Sequence, residues 1–257
     1  MKITILGCGA AGGVPMISVG WGRCDPKNPK NRRRRSSILI ENEETILLID
    51  SGPDLREQLI DAGVNRLDAV LYTHAHADHT HGIDDLREIN RTIMGPIDIY
   101  GEKQCLDDID RHFSYVFDPI DLKTTSLYKP WLRRHEISGL FSVKGVEIRA
   151  LEQDHGFSRS TGYRIGNFAY CTDVMEFSEE SFGHLMGLDA WIVGCLRFPA
   201  HETHAHIAKV LDWVERLRPK KTYLTHMGPG LDYDEMINRA LPENVVPAYD
   251  GLVLEIA

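Results

Sequence analysis

A short histidine-rich run constrains this chain more than any other part of its sequence. Residues 73–79 read T-H-A-H-A-D-H, so three imidazoles and a carboxylate fall between His74 and His79. His74 and His76 are two positions apart, and at the end of a strand both side chains would project to the same side. Asp78 and His79 follow one turn later, where they can face a second ion. The mixture of nitrogen and oxygen donors is typical of a metal site rather than of a solvated histidine-rich loop.

An apolar run at residues 67–72, L-D-A-V-L-Y, leads directly into this cluster. It predicts a buried strand, with the ligands on a loop that the strand holds in place. Three further candidates stand at the ends of predicted strands, namely His155, Asp173 and His226. A lone histidine or aspartate at a strand end is more often structural. Three of them, in a chain that already carries the cluster, predict the remaining ligands of a dinuclear centre.

Strand and helix patterns alternate along the chain in two comparable halves. We expect strands at 2–7, 37–41, 45–50, 69–73, 97–100, 146–152, 163–170, 190–194, 222–225 and 252–256. We expect helices at 54–63, 83–93, 102–113, 178–186, 203–217 and 233–240, with Asp54 opening the first and Thr203 as the N-cap of the 203–217 helix. Two sheets packed face to face with helices outside would accommodate this order. The prediction is therefore an α/β fold in one domain, residues 1–257, built from two αβ halves.

Composition narrows the functions that fit the chain. Its 257 residues carry a formal net charge of -9, which argues against non-specific nucleic-acid binding, since that depends on basic surface. The one basic run, R-R-R-R at 32–35, is interpreted as a solvated loop in preference to a phosphate contact. The five cysteines are widely spread, which favours a reducing compartment. Since no apolar run is long enough for a membrane helix, we expect a cytoplasmic protein.

Residues 7–12, G-C-G-A-A-G, match the glycine pattern of dinucleotide-binding loops. That interpretation requires a helix that starts at the last glycine. The glycines and prolines that follow, through residue 29, make a helix implausible there. We expect instead a glycine loop whose backbone approaches a ligand or metal cleft.

The cluster and the three later candidates together resemble the metallo-β-lactamase superfamily over nearly the whole chain. The resemblance implies a four-layer αβ/βα sandwich of two packed mixed sheets with helices on the outside. It implies two divalent metal ions, zinc in preference to manganese or iron. By the same resemblance the ligands divide into His74, His76 and His155 for one ion and Asp78, His79 and His226 for the other, with Asp173 bridging both. Asp50, in an Asp-x-Gly element, and Asp250, in a similar C-terminal element, are expected to orient the imidazoles from behind.

Within that superfamily the chain resembles the branch that contains the phosphoribosyl 1,2-cyclic phosphate phosphodiesterase of phosphonate catabolism. The resemblance is carried by residues 12–15 (G-G-V-P), 35–37 (R-S-S), 52–54 (G-P-D), 82–87 (G-I-D-D-L-R) and 201–204 (H-E-T-H). It implies hydrolysis of a small cyclic or nucleotide-like phosphodiester by a hydroxide that bridges the metals. Asp78 would belong to the catalytic centre and His204 would assist the leaving group. His201 and Arg87 are weaker candidates for substrate binding.

One departure from that branch concerns a third metal. The branch commonly carries a Cys-x-Cys element after its glycine loop for a structural zinc. Only Cys24 stands at that place in this chain, which makes a third zinc doubtful.

Two other functions remain open. A tRNA 3′-processing endoribonuclease shares such a site but resembles a longer chain with a basic arm. The surface excursion expected at 118–142 is short, and its basic residues are Lys123, Lys129, Arg133 and Arg134. A non-hydrolytic carrier like the pyrroloquinoline quinone biosynthesis protein would fit the altered Cys24 region but not the complete ligand set. We therefore expect a small phosphodiester or nucleotide-like ligand and no membrane or nucleic-acid partner, and the sequence leaves a homodimer open.

Overall fold

The computed structural model describes residues 1–43, 45–239 and 241–256. Its strands are β1 (Lys2–Gly7), β2 (Ser37–Asn42), β3 (Thr45–Ile49), β4 (Ala69–Leu71), β5 (Ile97–Gly101), β6 (Leu132–Glu136), β7 (Leu140–Val143), β8 (Val146–Asp154), β9 (Arg159–Ile165), β10 (Phe168–Cys171), β11 (Glu176–Phe177), β12 (Ala190–Gly194), β13 (Lys221–Thr225), β14 (Val245–Pro247) and β15 (Val253–Glu255). Its α-helices are α1 (Leu55–Ala62), α2 (Ala77–Thr80), α3 (Leu86–Ile93), α4 (Lys103–Phe113), α5 (Glu179–Gly183), α6 (Ile207–Leu217) and α7 (Tyr233–Arg239). Residue 240, the last of the helix predicted at 233–240, lies outside the described residues.

The strands form two mixed sheets. The first has the order β15-β1-β2-β3-β4-β5-β6, antiparallel from β15 to β3 and parallel from β3 to β6. The second has the order β11-β8-β9-β10-β12-β13-β14, with β7 also paired to β8. In the second sheet β10, β12, β13 and β14 run parallel, and the other neighbours pair antiparallel. The prediction of two mixed sheets is confirmed.

Side chains of the first sheet alternate between two apolar layers, as the period of two along a strand requires. In β3, Leu47 and Ile49 belong to the core between the sheets, whereas Leu48 packs in a second cluster with Leu55 and Leu59 of α1. On the far side of the second sheet, α6 packs Trp213 against Trp191 of β12, with ring centroids 6.3 Å apart. The order of layers is helix, sheet, sheet, helix, which confirms the predicted four-layer sandwich.

Two predicted elements differ from the structure. The strand expected at 163–170 is a hairpin, because Gly166 turns the chain at a φ of 54° between β9 and β10. The excursion expected at 118–142 contains β6, which pairs in parallel with β5 and forms an edge of the first sheet. A run with few apolar residues, such as L-R-R-H-E in β6, gives no strand pattern in the sequence because only one of its residues is buried.

The boundary of the helix predicted at 203–217 is also wrong, and this error affects the site. The helix begins at Ile207, with His206 at the N-cap position. Thr203 is therefore not the cap. Thr203 and His204 lie in the loop before the helix, where the Thr203 carbonyl accepts a hydrogen bond from His155 and the His204 ring lies 3.7 Å from Asp173.

The basic run at 32–35 is not the solvated loop that its composition predicts. Arg33 is 2% exposed, and its guanidinium donates hydrogen bonds to the carbonyl oxygens of Leu231, at 2.7 Å, and Gly228, at 3.4 Å. Arg34 forms ion pairs with Asp61 and Asp250, and Arg35 with Asp54. The run therefore ties the loop after β1 to other segments, and Arg32 is its exposed member.

Asp54 precedes α1 without capping it by a side-chain hydrogen bond. Its carboxylate accepts instead from the backbone N–H of Arg35, at 2.8 Å. Within the described residues, no helix combines the length and apolar character needed to cross a membrane.

Candidate metal centre

The predicted ligands stand where strands of both sheets end. Residues 74–79 follow β4, His155 follows β8, Asp173 follows β10, and His226 follows β13. Side chains from distant parts of the sequence are therefore gathered at one edge of the sandwich. The structure brings all of the predicted ligands together as two adjoining groups: His74, His76 and His155, and Asp78, His79, Asp173 and His226.

The first group consists of three imidazoles. His74 and His155 are buried, and His76 is exposed at the N-cap of the short helix α2. Nδ1 of His155 donates to the backbone carbonyl of Thr203 at 2.7 Å, which leaves Nε2 to face the centre. Burial lowers the pKa of His74 well below its usual value, so this ring is neutral. A neutral imidazole is the form that binds a metal ion.

The second group places two carboxylates around His79. Nε2 of His79 lies 3.2 Å from oxygens of both Asp78 and Asp173, and Nε2 of His226 lies 3.3 Å from both carboxylates. Burial alone would lower the pKa of His79, but the carboxylates of Asp173, Asp78 and Asp50 together raise it well above its usual value. The carboxylates around this ring thus favour a positive charge. Either a proton on the ring or a divalent ion bound to it can provide that charge, and the two compete.

Asp173 lies between the two groups. Its Oδ1 is 3.9 Å from Nε2 of His74 and 3.8 Å from Nε2 of His155 in the first group, and 3.3 Å from Nε2 of His226 in the second. Its Oδ2 is 3.2 Å from His79 in the second. One carboxylate that faces both groups is the arrangement expected of a bridging ligand.

The donor atoms fit a pair of divalent ions. Nε2 of His74 is buried and has no hydrogen-bond partner among the described residues, although a buried polar nitrogen normally has one. The set of imidazole nitrogens and carboxylate oxygens suits zinc, manganese or iron.

Three residues of the centre adopt left-handed backbone conformations that are uncommon for residues other than glycine. They are Asp50, Asp173 and His226, with φ angles of 64°, 50° and 54°. Each follows a strand, so the chain turns sharply at the point where the functional side chain emerges. Such conformations cluster at functional sites, where the surrounding structure holds them in place.

Asp50 contacts His79 directly and reaches His74 through Thr73. Its Oδ2 accepts from Nδ1 of His79 at 2.7 Å and from the Thr73 hydroxyl at 2.8 Å. The Thr73 oxygen in turn lies 3.0 Å from Nδ1 of His74. A single fully buried carboxylate thereby fixes one imidazole of each group, directly or through Thr73.

Asp250 has a different role from the one predicted. Its carboxylate accepts from the backbone N–H groups of Cys8, at 3.1 Å, and Arg34, at 2.8 Å. These bonds hold the glycine loop rather than an imidazole. The loop in turn pairs with the residue after His226, because the N–H of Met227 donates to the Cys8 carbonyl at 2.9 Å. Asp250 is thus linked through the glycine loop to the segment that follows His226, and within the described residues no helix follows this loop before residue 29.

His204 lies at the rim of the centre. Its Nδ1 is 3.7 Å from Oδ1 of Asp173, and its ring stacks on His226 with centroids 4.9 Å apart. Burial and then His226 lower the pKa of His204 to about 3, so the ring is neutral. His201 lies farther out, with its ring centroid 5.3 Å from that of His204.

Two predicted positions do not reach the centre. Arg87 lines a separate groove with Arg56 and Glu88, and its guanidinium donates to the carbonyl of Tyr128 at 3.3 Å. Cys24 is buried between the carbonyl oxygens of Pro229 and Leu231, each 3.5 Å from its sulfur. In the described part of the chain, Cys24 belongs to no group of three or more potential metal ligands.

Two residues that shape the centre, Thr73 and Thr203, were not predicted as site residues. Thr73 links Asp50 to His74, and its only signal is its place directly before the first histidine. Thr203 supplies the carbonyl that orients His155, a backbone role that its side chain does not reveal.

Comparisons with known proteins agree with this geometry. Residues 45–227 match the family model described as beta-lactamase superfamily domain. The crystal structure of a new diphosphatase from the PhnP family superposes with a TM-score of 0.90 at 32% identity, covering 100% of this chain and 98% of that one. The predicted superfamily and branch are thereby confirmed.

Two curated relatives carry other names. An octanoyltransferase of Porphyromonas gingivalis is 30% identical over 256 residues, 98% of this chain and 51% of that protein. A ribonuclease Z of Listeria welshimeri is 28% identical over 158 residues, 59% of this chain and 49% of that protein. The chain thus spans about half the length of these curated relatives.

Proposed function

Because the chain belongs to the beta-lactamase superfamily, we propose that it is a metal-dependent hydrolase that cleaves a P–O bond in a small phosphodiester or organic diphosphate. The observation that carries the proposal is the position of Asp173 between two groups of metal-binding side chains. A pair of ions a few Å apart suits phosphoryl transfer, since both the attacking and the leaving oxygen can be stabilised. The similarity to a diphosphatase supports a phosphorus substrate over the other substrates of this fold.

The residues of the centre have three roles: binding the ions, orienting the imidazoles and assisting the leaving group. His74, His76 and His155 would hold one ion, and Asp78, His79 and His226 the other, with Asp173 shared. Two zinc ions bound there would lower the pKa of a water and neutralise phosphoryl oxygens. Asp50 and Thr203 hold the imidazoles in the orientation that binding requires. His204 donates a hydrogen bond to the leaving oxygen from the rim.

The charge distribution favours a small substrate over RNA. Of the basic residues at 118–142, Lys129 donates to the carbonyls of Tyr115 and Asp118, Arg133 pairs with Asp98, and Arg134 pairs with Asp107. Three of the four basic side chains of this segment, all except Lys123, are thus engaged within the chain, and the net charge is -9. Affinity for nucleic acid depends on free basic groups facing the phosphates.

The test is metal analysis combined with turnover. The purified chain should contain two divalent ions, one for each group, and should hydrolyse bis-p-nitrophenyl phosphate. A chelator should abolish turnover, and zinc, manganese or iron should restore it. Bound metal without hydrolysis of any phosphodiester or diphosphate would instead favour a carrier. Cleavage confined to precursor tRNA, with a steep decline as salt rises, would favour the ribonuclease.

The role of His204 predicts a dependence on the leaving group. His204→Ala should slow hydrolysis of 2′,3′-cyclic AMP about 100-fold or more, since its leaving alkoxide needs a donor. The same substitution should slow hydrolysis of bis-p-nitrophenyl phosphate less than about tenfold, because the p-nitrophenolate leaving group is stable as an anion. The measurement is kcat for both substrates in the wild type and the variant.

His201→Ala is the matched control, because its ring is the neighbour of His204 on the outer side. It should change both rates by a similar factor. An equal loss on both substrates in His204→Ala would exclude leaving-group assistance.

A further inference from the structure

A cavity of about 610 Å³ adjoins the metal centre on the side of His76. Its floor is the metal-binding loop, residues 73–76. One wall is the start of α4, with Glu102, Gln104, Asp108 and His112, and the other is the turn between β8 and β9, with Phe157, Ser158 and Arg159. The cavity is large enough for a sugar-sized or smaller group, and a substituent on a phosphorus held at the metals can reach into it.

Most charges on these walls are already engaged. Arg159 donates to Glu152 at 2.8 Å, and Asp108 accepts from Arg111 at 2.9 Å and from Gln104 at 3.1 Å. These groups are therefore satisfied before any ligand binds.

Glu102 is different. It occupies the N-cap position of α4 but makes no capping hydrogen bond, and its carboxylate has no ion pair or hydrogen bond with a described residue. It is half-buried, and burial followed by the nearby Glu152 raises its pKa, against a smaller lowering by Arg159, whose guanidinium is paired with Glu152. A half-buried carboxylate without a partner is unfavourable unless a ligand supplies a donor.

The exposed ring of Phe157 completes the cavity. Its side chain is 90% exposed, two positions after the ligand His155 in the opposite wall. A phenyl ring offers an apolar face to the carbon side of a sugar and an attractive face to an ammonium group. The cavity thus pairs an acceptor on one wall with an aromatic face on the other.

We propose that Glu102 determines specificity by accepting hydrogen bonds from hydroxyl or ammonium groups on the organic substituent of the substrate. This inference rests on the proposed hydrolase of phosphorus esters and specifies the chemistry of the organic substituent on the phosphorus. The substituent occupies the cavity between Glu102 and Phe157 while the phosphoryl group lies at the metal centre.

The test uses three p-nitrophenyl phosphodiesters that share a leaving group: the uridine 5′-, 2-aminoethyl and ethyl diesters. The wild type should process the uridine or the aminoethyl diester with kcat/KM about tenfold or more above the ethyl diester, the size expected for hydrogen bonds to a charged acceptor. Preference for the first identifies hydroxyl groups, and preference for the second identifies ammonium.

Glu102→Gln should lower the kcat/KM for the preferred diester about tenfold. Its kcat/KM for the ethyl diester should stay within about twofold of the wild-type value. Lys103→Gln, at the next position but outside the cavity lining, should leave all three rates unchanged. Equal rates for the three substrates in the wild type, or an equal loss on all three in Glu102→Gln, would overturn the inference while leaving the hydrolase in place.

A binding measurement separates this inference from the proposed function. If the chain hydrolyses none of the diesters, the hydrolase fails, and saturation-transfer NMR with uridine and ethanolamine tests the cavity alone. Weaker binding of one of these ligands to Glu102→Gln than to the wild type would support the inference. Identical binding, or none to either protein, would overturn it.

Discussion

Asp173→Asn is expected to reduce both metal content and turnover. The carboxylate lies between the two groups and is 3.2 Å from Nε2 of His79 and 3.3 Å from Nε2 of His226. Asparagine keeps the shape of the side chain but removes the negative charge that two cations need from a shared ligand. We expect fewer than two ions per chain and a rate lower by about a thousandfold or more, equivalent to about 4 kcal/mol in the barrier.

Asp189→Asn is the control, because this half-buried aspartate pairs with Lys220 at the surface, away from the centre. It should retain full metal content and rate. Metal content would be measured by mass spectrometry, and the rate with bis-p-nitrophenyl phosphate. An Asp173→Asn protein that kept two ions and wild-type turnover would rule out the bridging role.

Gly52→Ala is expected to displace the metal-binding loop and thereby lower both stability and metal affinity. A methyl group at this position would lie 2.2 Å from the backbone oxygen of Asp78, closer than any real contact. The same segments are joined by the hydrogen bond from the Ser51 N–H to the His79 carbonyl, at 2.8 Å. Because the atom that the methyl meets belongs to the backbone and not to a flexible side chain, the metal-binding loop must move to make room for it. We expect unfolding free energy to fall by about 2–3 kcal/mol and metal affinity to fall about 10–100-fold.

Gly183→Ala provides the matched comparison for that substitution. Gly183 is exposed at the end of α5, and an added methyl would meet no atom within 4 Å. The unfolding free energy of Gly183→Ala should stay within about 1 kcal/mol of the wild-type value. Denaturant unfolding of the metal-free proteins and metal titration would make the comparison. Equal behaviour of the two variants would show that the loop tolerates displacement.

The fold and the ligand positions were accessible from the sequence because each depends on a local pattern. Continuously apolar strands such as I-L-L-I in β3 mark a sheet buried on both faces. Histidines and aspartates that directly follow such strands were therefore correctly expected at one edge. The helix start at Ile207 was not accessible, because Thr203 is a favourable N-cap by type and only tertiary contact with His155 holds it in a loop.

Electrostatic roles were predicted less well than positions. The arginines at 32–35 look solvated in sequence, yet Arg33 is buried because distant carbonyls at 228 and 231 accept its hydrogen bonds. Asp250 resembled a residue behind the imidazoles, but its partners are backbone and side-chain groups of Cys8 and Arg34. In both cases the deciding partner lies about 200 positions away in the chain, and no local pattern reports it.

The pairing of β1 with β15 has a consequence for the order of biosynthesis. Translation yields β1 first and its neighbour β15 more than two hundred residues later, while the loop after β1 must also await Met227. A ribosome-bound chain can fold local hairpins early, but the edge of the first sheet remains without its partner until then. Until the later segments are translated, the nascent chain must therefore remain unaggregated while that edge of β1 is unprotected.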